Sequence, residues 1–257
     1  MKILFYLIAS LFLMSTFSCS DLNTHSAEDS KNQAATLGRS SNPMDGVGEL
    51  HNTVASWVIE NHLSLIVEHY ENLDFLLTEL NNRIEREYNT IIPHPSEILK
   101  SGDLYPSGGP DEDFILNSDA TTSHKNAMIQ LRHIMEEFVS PEMTEDDIEL
   151  YHIEIINLEK SLANLNTSEV TYGALDIAYD NVPFWIGYQP LLNSSNKNSA
   201  ENCALAGAMA DAEALGDPAL CGAGGPGANP GAVMCAAMIS AIEIARCGLG
   251  LMAMPEE

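Results

Sequence analysis

The sequence predicts an all-α fold: a helical bundle followed by a disulfide-stapled, small-residue C-terminal helical hairpin. Three observations carry this. Apolar residues recur every three or four positions through residues 43–192, the spacing that lines one face of a helix. Alternating apolar and polar runs ending in turn dipeptides, the mark of strands, are nearly absent. Residues 193–257 then change to an Ala/Gly/Met texture and hold four of the five cysteines.

Residues 1–18 read as an export signal. Lys2 precedes the apolar run "ILFYLIASLFLM", which is short for a bilayer span and placed where a secretory signal belongs. The following "STFSCSD" resembles the lipobox of bacterial lipoproteins, in which the signal is cut before a cysteine whose thiol is acylated. That resemblance implies lipidation at Cys19, with palmitate among the acyl groups expected, and Thr16 and Phe17 depart from its usual Leu-small pattern. The alternative is an ordinary cleaved signal with an incidental Cys19. Serine after the cysteine implies an exported, outer-membrane lipoprotein, facing the periplasm or the surface. Residues 19–42 are polar and bury too little apolar surface to fold alone, so they read as a disordered tether.

The bundle, 43–192, opens at "NPMDGVGELHN", where Asn42 is placed to cap a helix with Pro43 at its first position. Val47, Leu50, Val54, Trp57 and Val58 continue it at helical spacing; Leu65, Ile66, Leu73, Leu76, Leu77, Leu80 and Ile84 repeat the pattern. The two runs are one long helix or break near Asn61–Ser64. A Pro/Gly-rich loop follows through Phe114 with at most a short helical turn. The next helix carries Met128, Leu131, Met135 and Phe138. Ser140 and Thr144 are caps for another, with an acidic first turn and Lys160 near its far end, as the helix dipole favours. A last, shorter aromatic helix, "SEVTYGALDIAYDNVPFWIGY", is expected to end at Pro183.

Residues 200–215 and 231–250 are helix-compatible, and the "GDPALCGAGGPGANP" between them is not. Small residues recur every four positions, at Ala204, Ala208 and Ala212, and at Ala232, Ala236 and Ser240 beside Ala237, Ala241 and Ala245. Such rows let two backbones approach closely in an antiparallel pair. With Cys19 consumed by lipid, four cysteines remain, and an even count in an oxidising compartment points to disulfides. Zinc is the competing reading, but no pair has CxxC spacing. In one continuous helix Cys235 and Cys247 would stand about 18 Å apart, whereas a disulfide needs Cα atoms within about 7 Å. An antiparallel hairpin brings Cys203 level with Cys247 and Cys221 level with Cys235, so those are the expected pairs, with the crossed pairing as the alternative.

The formal charge of −26 disfavours nucleic acid, whose phosphates such a field repels. The candidate polar cluster is Asp45, Glu49, His51 and Asn52, which combines a histidine with carboxylates at helical spacing; capping and packing at a helix start account for the same residues. Glu149 and His152 form an ExxH, a weak metal candidate, because a di-iron site in a bundle needs two such motifs and further glutamates. His133 and Glu136 give only the reverse order. "DEDFILNSD" lacks the central glycine and terminal glutamate of a calcium loop. No nucleophile elbow, HExxH, phosphate-binding glycine loop or redox CxxC is present, and neither catalytic residue nor cofactor is assigned.

"NPMDGVGELHN" resembles the NPYDxxGxxHN opening of a family of uncharacterised lipoproteins from Bacteroidota-type bacteria. "ALDIAYDNVPFW" is similar to their AxxSxxYW segment, and the Ala/Gly-rich ending to theirs. Met44 stands in place of an aromatic and Asp180 in place of serine. The resemblance implies the architecture and no activity. The expected function is therefore a lipid-anchored envelope protein acting as a binding or structural module, with the membrane and an envelope protein as partners. The alternative is a membrane-active, bacteriocin-like toxin whose effector is the C-terminal hairpin. Glu243 and Arg246 within that hairpin speak for a solvent face instead.

Overall fold

The computed structural model describes residues 42–93, 112–138, 143–163, 167–192, 207–212, 214–216, 220–221 and 229–248. The expected signal, Cys19, most of the tether, Ser140 and Cys203 lie outside the described residues. Residues 39–257 cluster as one compact unit. Every regular element among the described residues is helical: α1 (Val47–His69), α2 (Leu73–Tyr88), α3 (Glu112–Asn117), α4 (Thr122–Phe138), α5 (Glu145–Leu162), α6 (Glu169–Leu192) and α7 (Pro230–Gly248). Residues 207–212 and 214–216 are also helical.

The opening turn differs from expectation. Asn42 caps no helix: α1 starts after Gly46, whose φ of +94° is the left-handed conformation that glycine adopts without steric cost. The Asn42 side chain instead accepts from the Met44 backbone at 2.9 Å and donates to Glu159 Oε1 at 2.7 Å, fixing the turn to α5. α1 then runs unbroken through Asn61–Ser64 and stops at Tyr70–Asn72. Asn72 is the real breakpoint, since its side chain accepts from Phe75 N and caps α2. α5 begins with a full capping box between Thr144 and Asp147.

Pro183 does not end its helix. α6 continues across it to Leu192 and, at 24 residues, is longer than the 23-residue α1. Proline has no N–H to give the carbonyl four residues back, which here is Tyr179. That carbonyl accepts from His152 Nε2 at 3.0 Å. The carbonyls on either side are also served by side chains: Ala178 O by Tyr151 Oη at 2.8 Å and Asp180 O by Asn52 Nδ2 at 3.3 Å. Three donors from α1 and α5 thus support the turn that proline weakens.

The C-terminal pair is a stapled antiparallel hairpin. Cys221 and Cys235 are disulfide-bonded with Cα atoms 5.6 Å apart, and a Cβ on Gly207 would strike the Ile244 side chain. The two contacts run in opposite senses along the two arms. Cys247 is also disulfide-bonded; Cys203, its expected partner, lies outside the described residues. Ala208, Ala212, Ala232, Ala236, Ala237, Ser240, Ala241 and Ala245 are all buried. Their small size lets α7 lie against α1 as well as against its own hairpin arm, with α2 and α6 also in contact. Hairpin and bundle share one core.

Candidate functional site

The site is assembled from helical spacing. On α1, Gly48, His51 and Asn52 stand at i, i+3 and i+4, and on α6 Asn181 and Trp185 stand at i and i+4, so each set shares a face. The faces are pressed together at Gly48: a Cβ there would lie 2.5 Å from Asp180 Oδ2 and 2.7 Å from the Asp176 carbonyl. Gly48 N, one of the amides left open at the start of α1, donates to Asp176 Oδ2 at 3.0 Å. Gly46 supplies no side-chain cap, and the buried Asp176 carboxylate caps α1 from another helix.

One turn further along, Asp211 enters from the hairpin arm. Its Oδ1 lies 2.9 Å from His51 Nε2, and both side chains have 0% exposure. Its Oδ2 accepts from Asn181 Nδ2 and, at 3.3 Å, from Trp185 Nε1. His51 Nδ1 meets Asn52 Oδ1 at 3.2 Å, while Asn52 Nδ2 is occupied by the Asp180 carbonyl. Both ring nitrogens of His51 are thus engaged, one by its neighbour on α1 and one by the hairpin arm. An aspartate without solvent is costly unless its charge is balanced and its lone pairs are filled. His51, Asn181 and Trp185 occupy both of its oxygens.

Of the residues singled out from sequence, His51 and Asn52 belong to this cage, and Asp45 and Glu49 do not, because both are exposed. Glu149 is exposed, whereas His152 is buried, stacked on Tyr179 at 3.8 Å and committed to that residue's carbonyl. The ExxH pair is thus split between solvent and core. His133 pairs with Glu112 at 2.9 Å, and Arg132 with Glu136 at 2.7 Å. "DEDFILNSD" forms α3 through Asn117 and makes no loop cradle there. Among the described residues no three His, Cys, Asp or Glu side chains are arranged to hold a metal ion.

Asp176, Asn181, Trp185 and Asp211 escaped the sequence reading. Asp211 carried a signal nonetheless: it adjoins Ala208 and Ala212, on the small-residue face expected to be buried, where a carboxylate demands partners. Away from this cage, burial shifts His124 and Glu243. Burial holds His124 down at about 4, with Nδ1 3.2 Å from Thr171 Oγ1. Burial raises Glu243 to about 7, an effect that Arg246 at 3.4 Å partly offsets. Comparison with known proteins returns no match: no family model, no curated protein and no solved structure is similar to this chain.

Proposed function

We propose that this protein is a lipid-anchored helical module of the cell envelope, held at the outer membrane through acylated Cys19 and acting by binding or structural support without a reaction of its own. The observation that supports this best is the sealing of the polar cluster. His51 and Asp211, the pair with the look of an acid–base dyad, have 0% side-chain exposure and spend their hydrogen bonds on neighbouring helices. A dyad closed in this way joins α1 to the hairpin arm. The apolar run at residues 3–14 and the "STFSCSD" that follows support export and anchoring.

The test is fractionation with acyl labelling in a Gram-negative host. The full chain should carry labelled palmitate and sediment with the outer membrane, while Cys19→Ser loses the label and enters the soluble fraction. An unlabelled wild-type chain, or a Cys19→Ser protein that keeps the label, would refute the lipid anchor. Chemical cross-linking of the anchored protein in whole envelopes then identifies the partner.

One observation favours a membrane-active second reading. The stretch Pro230–Cys247 of α7 is long and apolar enough to cross a bilayer by length and composition. Against it, 83% of that stretch is buried within the fold, and Glu243 and Arg246 lie inside it. Leakage of liposomes by the full chain, oxidised and reduced, decides: no leakage in either state removes this reading.

A further inference from the structure

We propose that His51, Asn181 and Trp185 form a carboxylate-binding site built by α1 and α6, in which Asp211 is an internal ligand that straps the hairpin arm down. The inference stands independently of the lipid anchor. Three donors of different chemistry, an imidazole, an amide and an indole, converge on one carboxylate within a solvent-free pocket. None of them is adjacent in sequence to Asp211; the separations are 160, 30 and 26 residues. The donors come from helices that pack on each other directly, so the receptor is made by the bundle and its occupant by the arm.

The arm itself explains why a polar strap is used. Residues 207–212 are Gly, Ala, Met, Ala, Asp and Ala, so Met209, which is buried, is their one large apolar side chain. At Gly207 and Gly216, on either side of Asp211, a Cβ would strike Ile244 and His124 respectively. Between those two glycines, Asp211 makes the hydrogen bonds to the bundle. Asn181 Oδ1 is buried with no hydrogen-bond partner among the described residues, so the hydrogen bond to Asp211 is what orients that amide. Removing the Asp211 carboxylate leaves a space with donors on its wall and room for a one-carbon acid.

The experiment is chemical rescue of full-length Asp211→Ala with sodium formate, against equal sodium chloride. Hydrogen exchange of peptides covering 207–216 reads the arm. The variant should lose protection there, and formate at ten times its Kd should raise protection about tenfold. Leu131→Ala, which opens an apolar cavity in α4, should show no formate response. Asp211→Leu keeps about the same size but offers no acceptor to Asn181 and Trp185, so it should be less protected than wild type. Equal effects of formate and chloride on Asp211→Ala, or wild-type protection in Asp211→Leu, would overturn the proposal. Should Asp211→Ala fail to fold, the wild-type chain decides. The Trp185 indole N–H should exchange with the 207–212 amides as one opening; an indole that follows the α4 and α5 amides instead overturns it.

Discussion

Gly48 and Asp176 show how one position serves two ends. The absent side chain lets α1 approach α6, and the exposed amide takes a carboxylate cap. Gly48→Ala therefore sets a Cβ against backbone and a short side chain, neither of which yields easily. It should destabilise the fold by about 1–3 kcal/mol, read as a lower midpoint in urea at unchanged slope. An unchanged midpoint would mean that the helices slide apart at no cost. The glycine was visible in "NPMDGVGELHN", yet its partners Asp176 and Asp180 lie 128 and 132 positions further along the chain. A contact over that separation has no local signature. His51 illustrates the same limit: its sequence neighbours Asp45, Glu49 and Asn52 suggested a polar cluster local to the helix start, whereas its partners are Asn52 and the distant Asp211.

At the scale of the element, α6 is the instructive helix. Proline in a helix interior costs about 3 kcal/mol in isolation, which is why a stop at Pro183 was expected. What overrides it is a set of donors no window over residues 168–188 contains: Tyr151 and His152 on α5, Asn52 on α1. Burial raises the Tyr151 hydroxyl well above its usual range, with the Asp180 charge adding to it, so it stays protonated as a donor. His152→Ala should cost about 1–3 kcal/mol by leaving the Tyr179 carbonyl buried and unserved. Pro183→Ala restores an N–H at that spot. In the Pro183→Ala background the loss of His152 should therefore cost about 1 kcal/mol less, a coupling that a double-mutant cycle in urea measures. Additive effects would mean that the histidine packs against α6 without supporting its carbonyl.

For the molecule as a whole, two buried ionisable groups pull stability in opposite directions with pH. Glu243 titrates at about 7 when folded and near 4.5 when exposed, so the folded chain holds the proton more tightly. Its contribution is complete below pH 4.5 and is lost as pH rises through 7. His124, at about 4 instead of 6.5, does the reverse: its contribution is complete above pH 6.5 and is lost as pH falls through 4. Each shift corresponds to about 3 kcal/mol. Between pH 4.5 and 6.5 the two slopes nearly cancel, so urea midpoints should be flat there and fall on either side. Glu243→Gln should abolish the alkaline decline and raise the midpoint at pH 8; a Glu243→Gln profile parallel to wild type would exclude this carboxyl as the source.

The helical class, the caps at Thr144 and Lys160's end, the buried Ala rows and the Cys221–Cys235 pairing followed from short-range order alone. Spacing of three to four residues and 1.5 Å of rise per residue are properties of any helix, so they can be read along the chain. The survival of α6 past Pro183, the capping of α1 by Asp176 and the enclosure of Asp211 could not be read that way. Each depends on a donor or acceptor delivered from a distant helix, and the free energy of a buried polar group is set by whatever packing places beside it.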